Sequence, residues 1–216
     1  ATDLIPTLNA SAIAKSVKGD ESDQVIAGFF ARVNYDYKDR YLVSLSARYD
    51  GASNLGDDHK WGFFPSASAA WVISEEEFMK QFPVIDNLKF RIGYGLAGNQ
   101  SGIDSYTTLN LVKPNGVVPV GNSAVVSLGD LRNTNPDLKW EVKHTFNTGI
   151  DVALFGNRLL LSANYYNSRT TDMLYLYNVS VPPFTYNTLL ANIGSMRNWG
   201  TEIAIGITPL KTKDME

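Results

Sequence analysis

From Phe29 onward the chain alternates in two-residue steps, and one parity of that alternation carries no charge. The apolar parity runs through Phe29, Ala31, Val33 and Tyr35, then Tyr41, Val43, Leu45, Ala47 and Tyr49. It continues through Phe63, Pro65, Ala67, Ala69, Trp71 and Ile73, and through Leu88, Phe90, Ile92, Tyr94 and Leu96. Trp140 to Leu154, Leu159 to Tyr165 and Trp199 to Ile207 complete it, with no Asp, Glu, Lys or Arg at any of these alternate positions. The opposite parity holds Arg32, Asp36, Arg48, Asp50, Lys89, Arg91, Glu141, Lys143, Asp151 and Glu202 among Ser, Thr, Asn and Gly. A two-residue period is strand periodicity, because successive side chains of a strand point to opposite faces.

Seven strands are predicted, at 28–36, 41–50, 63–73, 88–97, 140–154, 158–167 and 199–208. Val, Ile, Tyr, Phe and Trp dominate one face of each, as strand propensity expects. The class is all-β, an antiparallel meander of about seven strands. The best helix candidate between strands is Ser74 to Phe82, where Ser74 and Glu77 have capping-box spacing. A short helix is also expected at 10–17, inside an otherwise aperiodic leading segment 1–27. Short connections at 37–40 and 155–157, and a middling one at 74–87, alternate with long Gly-, Asn- and Ser-bearing ones at 51–62, 98–139 and 168–198.

Composition narrows the classes. A net charge of −3 argues against a nucleic-acid surface, which shows a basic stripe. With no cysteine there is no disulfide framework, thiolate metal site or Cys nucleophile. No apolar run approaches the roughly 18 residues of a membrane helix, and no signal segment opens the chain, which starts at Ala1. It reads as a mature product or as a piece of something longer.

Two architectures sort residues by parity in this way: a soluble β-sandwich, whose apolar face is its core, and a transmembrane barrel, whose apolar face meets lipid. Loop lengths that alternate between two rims are a barrel property. So are aromatic girdles, and here Tyr35, Tyr41 and Trp71 lie toward the short-turn rim. Tyr49, Phe63, Tyr94, Trp140, Tyr165 and Trp199 lie toward the long-loop rim. A lysine or arginine at the midplane of a barrel surface costs roughly 2–4 kcal/mol, which purges a lipid face of charge. The barrel reading therefore places Arg32, Arg48, Asp50, Lys89, Arg91, Glu141, Lys143, Asp151 and Glu202 in the lumen.

Blocks of residues carry a family resemblance. Tyr41 to Ser53 (YLVSLSARYDGAS), Phe64-Pro65-Ser66-Ala67-Ser68, Trp71 to Met79 (WVISEEEFM) and Leu88 to Gly95 (LKFRIGYG) resemble SusC/RagA-type TonB-dependent outer-membrane transporters. So do Gly98-Asn99-Gln100, Asn135 to Glu141 (NPDLKWE), Gly149-Ile150-Asp151, Tyr165-Tyr166, Thr171 to Leu174, Asn192 to Met196 and Gly200-Thr201-Glu202, in the family's order. The resemblance spans about residues 28–208. It implies a barrel of about twenty-two strands, an N-terminal plug, TonB coupling through that missing N-terminal part, and a SusD-like surface lipoprotein as lid. It implies contact with outer-membrane lipid and import of oligosaccharides or peptides in Bacteroidetes-like bacteria, with no enzymatic step and no cofactor. This chain carries no plug sequence, so 1–27 is expected as an extracellular-type loop, 28–208 as partial barrel and 209–216 as a periplasmic turn. A non-transporting scaffold or adhesin and a soluble carbohydrate-binding sandwich stand as alternatives.

Motifs with catalytic associations have blander readings. Gly93-Tyr94-Gly95-Leu96-Ala97-Gly98 matches a dinucleotide fingerprint formally, but no helix start or spaced acid follows it. Glu75-Glu76-Glu77 suits a solvated turn, and Asp57-Asp58-His59 lacks calcium-loop spacing. No metal site is expected. His59 and His144 are far apart, with His144 on the charge-free parity. The candidates for substrate or partner contact are the loop aromatics Trp61, Tyr106, Tyr175, Tyr177, Phe184 and Tyr186, since aromatic rings anchor sugars and protein partners.

Overall fold

The computed structural model describes residues 22–121 and 123–209. The expected helix at 10–17, most of the leading segment 1–27 and nearly all of 209–216 lie outside the described residues.

Hairpin turns set the meander. Strands β1 (Ile26–Tyr37) and β2 (Tyr41–Ala52) are joined through Lys38 and Asp39, both at positive φ (58° and 54°). Paired left-handed residues make the tight turn whose twist matches that of strands, and Asp36 Oδ1 accepts the Asp39 N–H at 2.9 Å. Strands β3 (Trp61–Val72), β4 (Ile85–Asn99), β7 (Glu141–Leu154), β8 (Leu159–Asn178) and β9 (Thr188–Ile207) follow. Together these form one seven-stranded antiparallel sheet in the order β1-β2-β3-β4-β7-β8-β9. The predicted seven-strand meander is the one observed. The long connection after β4 also carries a separate hairpin of β5 (Val112–Val120) and β6 (Ser123–Asp130), which the residue pattern did not mark.

Register keeps the parities sorted across the whole sheet. Phe29 pairs with Tyr49 and Tyr49 with Phe63; Ala69 pairs with Ile92 and Ile92 with Thr148. Ile150 pairs with Ala163, and Ala163 with Ile203. A one-residue slip anywhere would move charges onto the apolar face. Among the described residues that face has no packing partner: Phe29, Val33, Leu45, Phe63, Trp199, Ile203 and Ile205 are all exposed. A sandwich would cover such a face with a second sheet, so the open apolar surface removes the sandwich reading.

Three expectations are corrected. The segment predicted as a helix from Ser74 is two short 3₁₀ turns, Ile73–Glu75 and Glu77–Gln81, with no side-chain cap. The anchor there is instead Glu76, whose extended backbone separates the turns and whose carboxylate faces Tyr41 and Trp71. Second, the connection predicted at 168–198 shrinks to 179–187, because β8 and β9 are 20 residues each. About 9–11 residues cross the hydrocarbon at 45° tilt, so the upper halves of β8 and β9 project beyond it. A bulge at Thr170 to Leu174, with Asp172 at φ 56°, marks the change. Third, Trp140 precedes β7 and turns inward, where it is only 8 % exposed, so it is not a girdle residue.

The Glu76 carboxylate ties the middling connection to the short-turn rim. Its Oε1 accepts the Tyr41 hydroxyl at 2.6 Å and the Trp71 indole N–H at 3.1 Å, and Arg40 Nη1 lies 3.3 Å from Oε2. The Tyr41 hydrogen bond, then that of Trp71, holds this carboxyl below its ordinary 4.5. A depressed carboxyl contributes stability above its unfolded value and loses it as pH falls through its folded one. Amide exchange at 73–81 is therefore expected to accelerate as pH drops below about 4.5 once intrinsic exchange rates are removed. Glu76→Gln should exchange fast at every pH; a pH-independent wild-type profile would remove the anchor.

Candidate functional site

The polar face of the sheet is a continuous wall of hydrogen-bonding groups. At its centre Arg91 on β4 grips Asp151 on β7 through two bonds, Nε to Oδ2 at 2.6 Å and Nη2 to Oδ1 at 2.9 Å. The same Nη2 reaches Asn164 Oδ1 at 2.8 Å, and Ser162 Oγ donates to Asp151 Oδ1 at 2.8 Å. Gly149 makes this crossing possible, since a Cβ there would collide with Asn164 Oδ1 and press on Arg91. Lys89 is the register partner of Asp151. The pair is water-facing, so it contributes at most about 1 kcal/mol to stability. Its value lies in orienting fixed donors and acceptors.

Around it lies a groove of about 810 Å³ whose polar-face lining includes Ser44, Ser68, Arg91, Asn147, Tyr166 and Glu202. Ser46 with Ser66 (2.6 Å), Ser44 with Asn34 (2.7 Å) and Thr145 with Ser168 (3.1 Å) extend the polar surface. Nearer the long-loop rim, Arg48 pairs with Asp50 at 3.1 Å, and Arg32 lines the adjoining groove with Ser44 and Ser46. Lys143 lines a further shallow groove with Tyr166 and Asn198. Glu141 departs from the simple lumen reading: it accepts Asn99 Nδ2 at 2.8 Å and the Leu174 N–H at 2.7 Å, bracing β7 against β4 and β8. Such a wall offers exchangeable hydrogen bonds to a polar solute, and the Ser162 hydroxyl is bonded to a carboxylate that Arg91 already holds.

Above the wall the long connections fold into a packed crown. Leu55 and Leu138 are fully buried with Ala52, Phe64, Ile103 and Trp140. The Phe64 ring meets the Trp140 ring edge-on, with centroids 5.5 Å apart. It lies across Gly62 and Gly98, where any Cβ would strike it. Buried Asn54 donates to Ile103 O at 2.7 Å and to Gln100 at 3.0 Å, joining two loops. The Asp57-Asp58-His59 run is a 3₁₀ turn in which Lys60 binds Asp57 at 2.6 Å and lowers its carboxyl.

The six candidate aromatics do not converge on one pocket. Trp61 begins β3 on the apolar face and stacks on Tyr49 (centroids 4.9 Å) and Phe29 (6.3 Å). Tyr175 and Tyr177 stand on β8 beyond the bulge, and Tyr175 is 64 % exposed. Tyr106, at φ 62°, receives the Asp23 N–H at its hydroxyl at 3.3 Å. Tyr186 donates to Asp130 O at 2.7 Å with the Lys113 ammonium 5.3 Å over its ring, which ties the β8–β9 connection, including Phe184, to the β5–β6 hairpin.

A row of asparagines clamps the crown: Asn135 and Asn192 lie in the blocks that carry the resemblance, and Asn133 lies outside them. Asn133 Nδ2 donates to Tyr186 O (2.6 Å) and Thr188 O (2.9 Å), and its Oδ1 accepts the N–H groups of Thr185 and Tyr186 at 3.1 Å each. Asn135 reaches Leu190 O at 2.9 Å, and Asn192 binds both the N–H and the C=O of Lys139. The available signal was the N-x-N spacing at 133–135. Asn133→Ala removes partners from four backbone groups, and about 1–3 kcal/mol of local stability should go with them. Amide exchange at Thr185 and Tyr186 should rise accordingly, and Asn133→Asp, which keeps the acceptors, should fall between.

Comparison with known proteins agrees with this geometry. The family model described as TonB dependent receptor-like, beta-barrel, matches residues 2–211. TonB-dependent receptor P26 of Formosa agariphila is 38 % identical over 94 % of this chain and 20 % of its own length. TonB-dependent receptor SusC of Bacteroides thetaiotaomicron is 34 % identical over 88 % of the chain and 19 % of its own length. The RagAB peptide importer in its 'open-open' state superposes with a TM-score of 0.79 at 26 % identity, covering 99 % of this chain and 23 % of that one. The chain thus spans about a fifth of the length of the curated relatives it matches.

Proposed function

Since the chain belongs to the TonB-dependent receptor β-barrel family, in its SusC/RagA-type branch, and lies in the outer membrane, we propose that it is one wall of a nutrient importer. The observation that carries this reading is the split sheet: an uncovered apolar face for lipid and, behind it, a polar wall centred on Arg91, Asp151 and Asn164. A solute moving past such a wall exchanges hydrogen bonds with it and meets no reactive group. The barrel closes with further strands on both β1 and β9, whose free edges cannot stand unpaired in lipid.

In this reading residues 1–27 lead in from an extracellular loop, 28–208 are barrel and 209–216 enter a periplasmic turn. The cargo class is oligosaccharides or peptides. A SusD-like lipoprotein closes over the crown, and TonB couples energy through other parts of the longer protein. Tyr106, Tyr175, Tyr177, Phe184 and Tyr186 face that lid or the arriving cargo. The peptide importer among the structural relatives supports the peptide arm, and SusC supports the branch.

Deleting the gene for the full protein should abolish uptake of one class within a panel of labelled oligosaccharides and peptides. Deleting TonB should reproduce the loss. Unchanged uptake across the panel, with surface adhesion lost, would replace import by the scaffold reading.

A further inference from the structure

The apolar face ends, at the long-loop rim, in a basic row. His144 on β7, Arg169 on β8 and Arg197 on β9 are successive register partners, on the same outward parity as Ile150, Ala163 and Ile203. Directly opposed side chains on neighbouring strands have Cβ atoms about 4.5–5.5 Å apart, and like charges so placed destabilise a sheet. Arg169 and Arg197 face each other in this way. Neither has a carboxylate partner among the described residues.

Polar neighbours orient the row without neutralising it. Arg197 Nε donates to Asn167 Oδ1 at 3.0 Å, and among the described residues its outer guanidinium nitrogens make no hydrogen bond. The Tyr94 hydroxyl and His144 Nδ1 are 2.9 Å apart. These side chains, with Phe146, line a shallow outward groove of about 500 Å³ that contains no acid.

Height decides what fills it. Arg169 lies ten residues beyond Leu159, the first residue of β8 after the short turn. That is about 33 Å along a strand, or about 23–27 Å of rise at 35–45° tilt, against an apolar band about 25 Å tall. Immediately toward the membrane come Phe146 and Trp199, register partners of Asn167. The row therefore sits just outside the aromatic girdle, on the lipid side, at headgroup level.

We propose that His144, Arg169 and Arg197 bind the phosphate of an outer-leaflet lipid headgroup. The phosphate supplies the counter-charge that the opposed arginines lack, through charge-assisted bonds to the two guanidinium groups. The acyl chains then run down past Trp199, Tyr165 and Ile203. The inference uses the lipid-facing parity and does not depend on what the barrel imports.

The test uses the full-length barrel purified in detergent, with diphosphorylated lipid A as probe and native mass spectrometry as readout. Wild type should retain the lipid, and Arg169→Gln/Arg197→Gln should lose at least about tenfold in affinity, a difference of roughly 1.4 kcal/mol. Arg169→Lys/Arg197→Lys should keep most of it. Lipid A stripped of its phosphates should bind unaltered protein no better than the intact lipid binds the Gln pair, a comparison that needs no variant to fold. Equal binding of the two lipids, or a Gln pair within twofold of wild type, overturns the proposal. So does displacement by millimolar inorganic phosphate, which would mark a free-anion site. In lipid-free detergent the Gln pair should unfold no earlier than wild type, because a repulsion has been removed.

Discussion

Ile92→Arg should cost the full-length barrel roughly 2–4 kcal/mol, the price of an arginine at mid-membrane depth on a barrel surface. Ile92 lies midway along β4, paired with Ala69 and Thr148, between Phe90 and Tyr94 on the exposed apolar face. Ser68→Arg is the matched control. Ser68 is one strand away and one residue off in register, pairs with Gly93 and lines the lumen groove, where a guanidinium stays hydrated. Its effect should stay within about 0.5 kcal/mol, as for ordinary surface changes. Urea midpoints in lipid vesicles, and the folded fraction recovered from outer membranes, give both numbers. Equal losses at the two positions would mean that the faces do not differ in environment.

Trp140→Ala should be the most damaging single change in the crown. The indole is nearly buried, packs edge-on against Phe64, and donates from Nε1 to Lys60 O at 3.2 Å. Deleting a buried Trp side chain costs about 3–5 kcal/mol. The loss falls on a cluster that holds two long connections together through Leu55, Ile103 and Leu138. The expected result is a barrel that still inserts and resists protease in its strands, but is cleaved rapidly at 53–60 and 100–139. Trp140→Phe keeps a ring against Phe64 and loses the hydrogen bond, so it should give up about 1 kcal/mol. A crown as protease-resistant as wild type after Trp140→Ala would show that the connections are held by other contacts, such as the asparagine row.

The membrane-embedded part of the molecule was legible because lipid imposes a simple rule on it. Within the hydrocarbon no charge survives on the outward parity, so alternation alone marks β1 to β4 and the lower halves of β7, β8 and β9 as strands and sorts their faces. Beyond the hydrocarbon that rule lapses. Water solvates either face, the bulge at Asp172 shifts the phase, and β8 and β9 continue to Asn178 and from Thr188 with no parity signature. The same loss of rule hid the β5–β6 hairpin, whose Val117-Val118 and Val125-Val126 pairs put apolar residues on both faces. Trp140 illustrates the cost of extending a parity one residue too far. Its side chain belongs to the strand only if the strand includes it, and β7 begins at Glu141.

The polar wall was legible as a set of charges but not as a network. Parity places Arg91 and Asp151 on one face, yet their bidentate contact depends on the register of β4 with β7, and the missing Cβ of Gly149 leaves room for Asn164 beside it. Glu141 shows the converse, a charge on the expected parity that braces strands through Asn99 and Leu174. The clamp of Asn133, Asn135 and Asn192 was invisible as chemistry because each asparagine satisfies backbone groups distant in sequence. Each contact joins segments 53 to 55 residues apart, and only the folded chain brings those partners together.

Because the segment contains no cysteine, single cysteines can be placed at successive positions 89 to 96 on β4 of the full-length barrel in vesicles. Each is exposed in turn to a water-soluble maleimide and, when carrying a fluorophore, to a lipid-borne nitroxide quencher. Strict alternation is expected: maleimide reaction at 89, 91, 93 and 95, nitroxide quenching at 90, 92, 94 and 96. Reactivity that rises and falls smoothly along the strand, or quenching on both parities, would contradict the lipid-facing and lumen-facing division from which everything else follows.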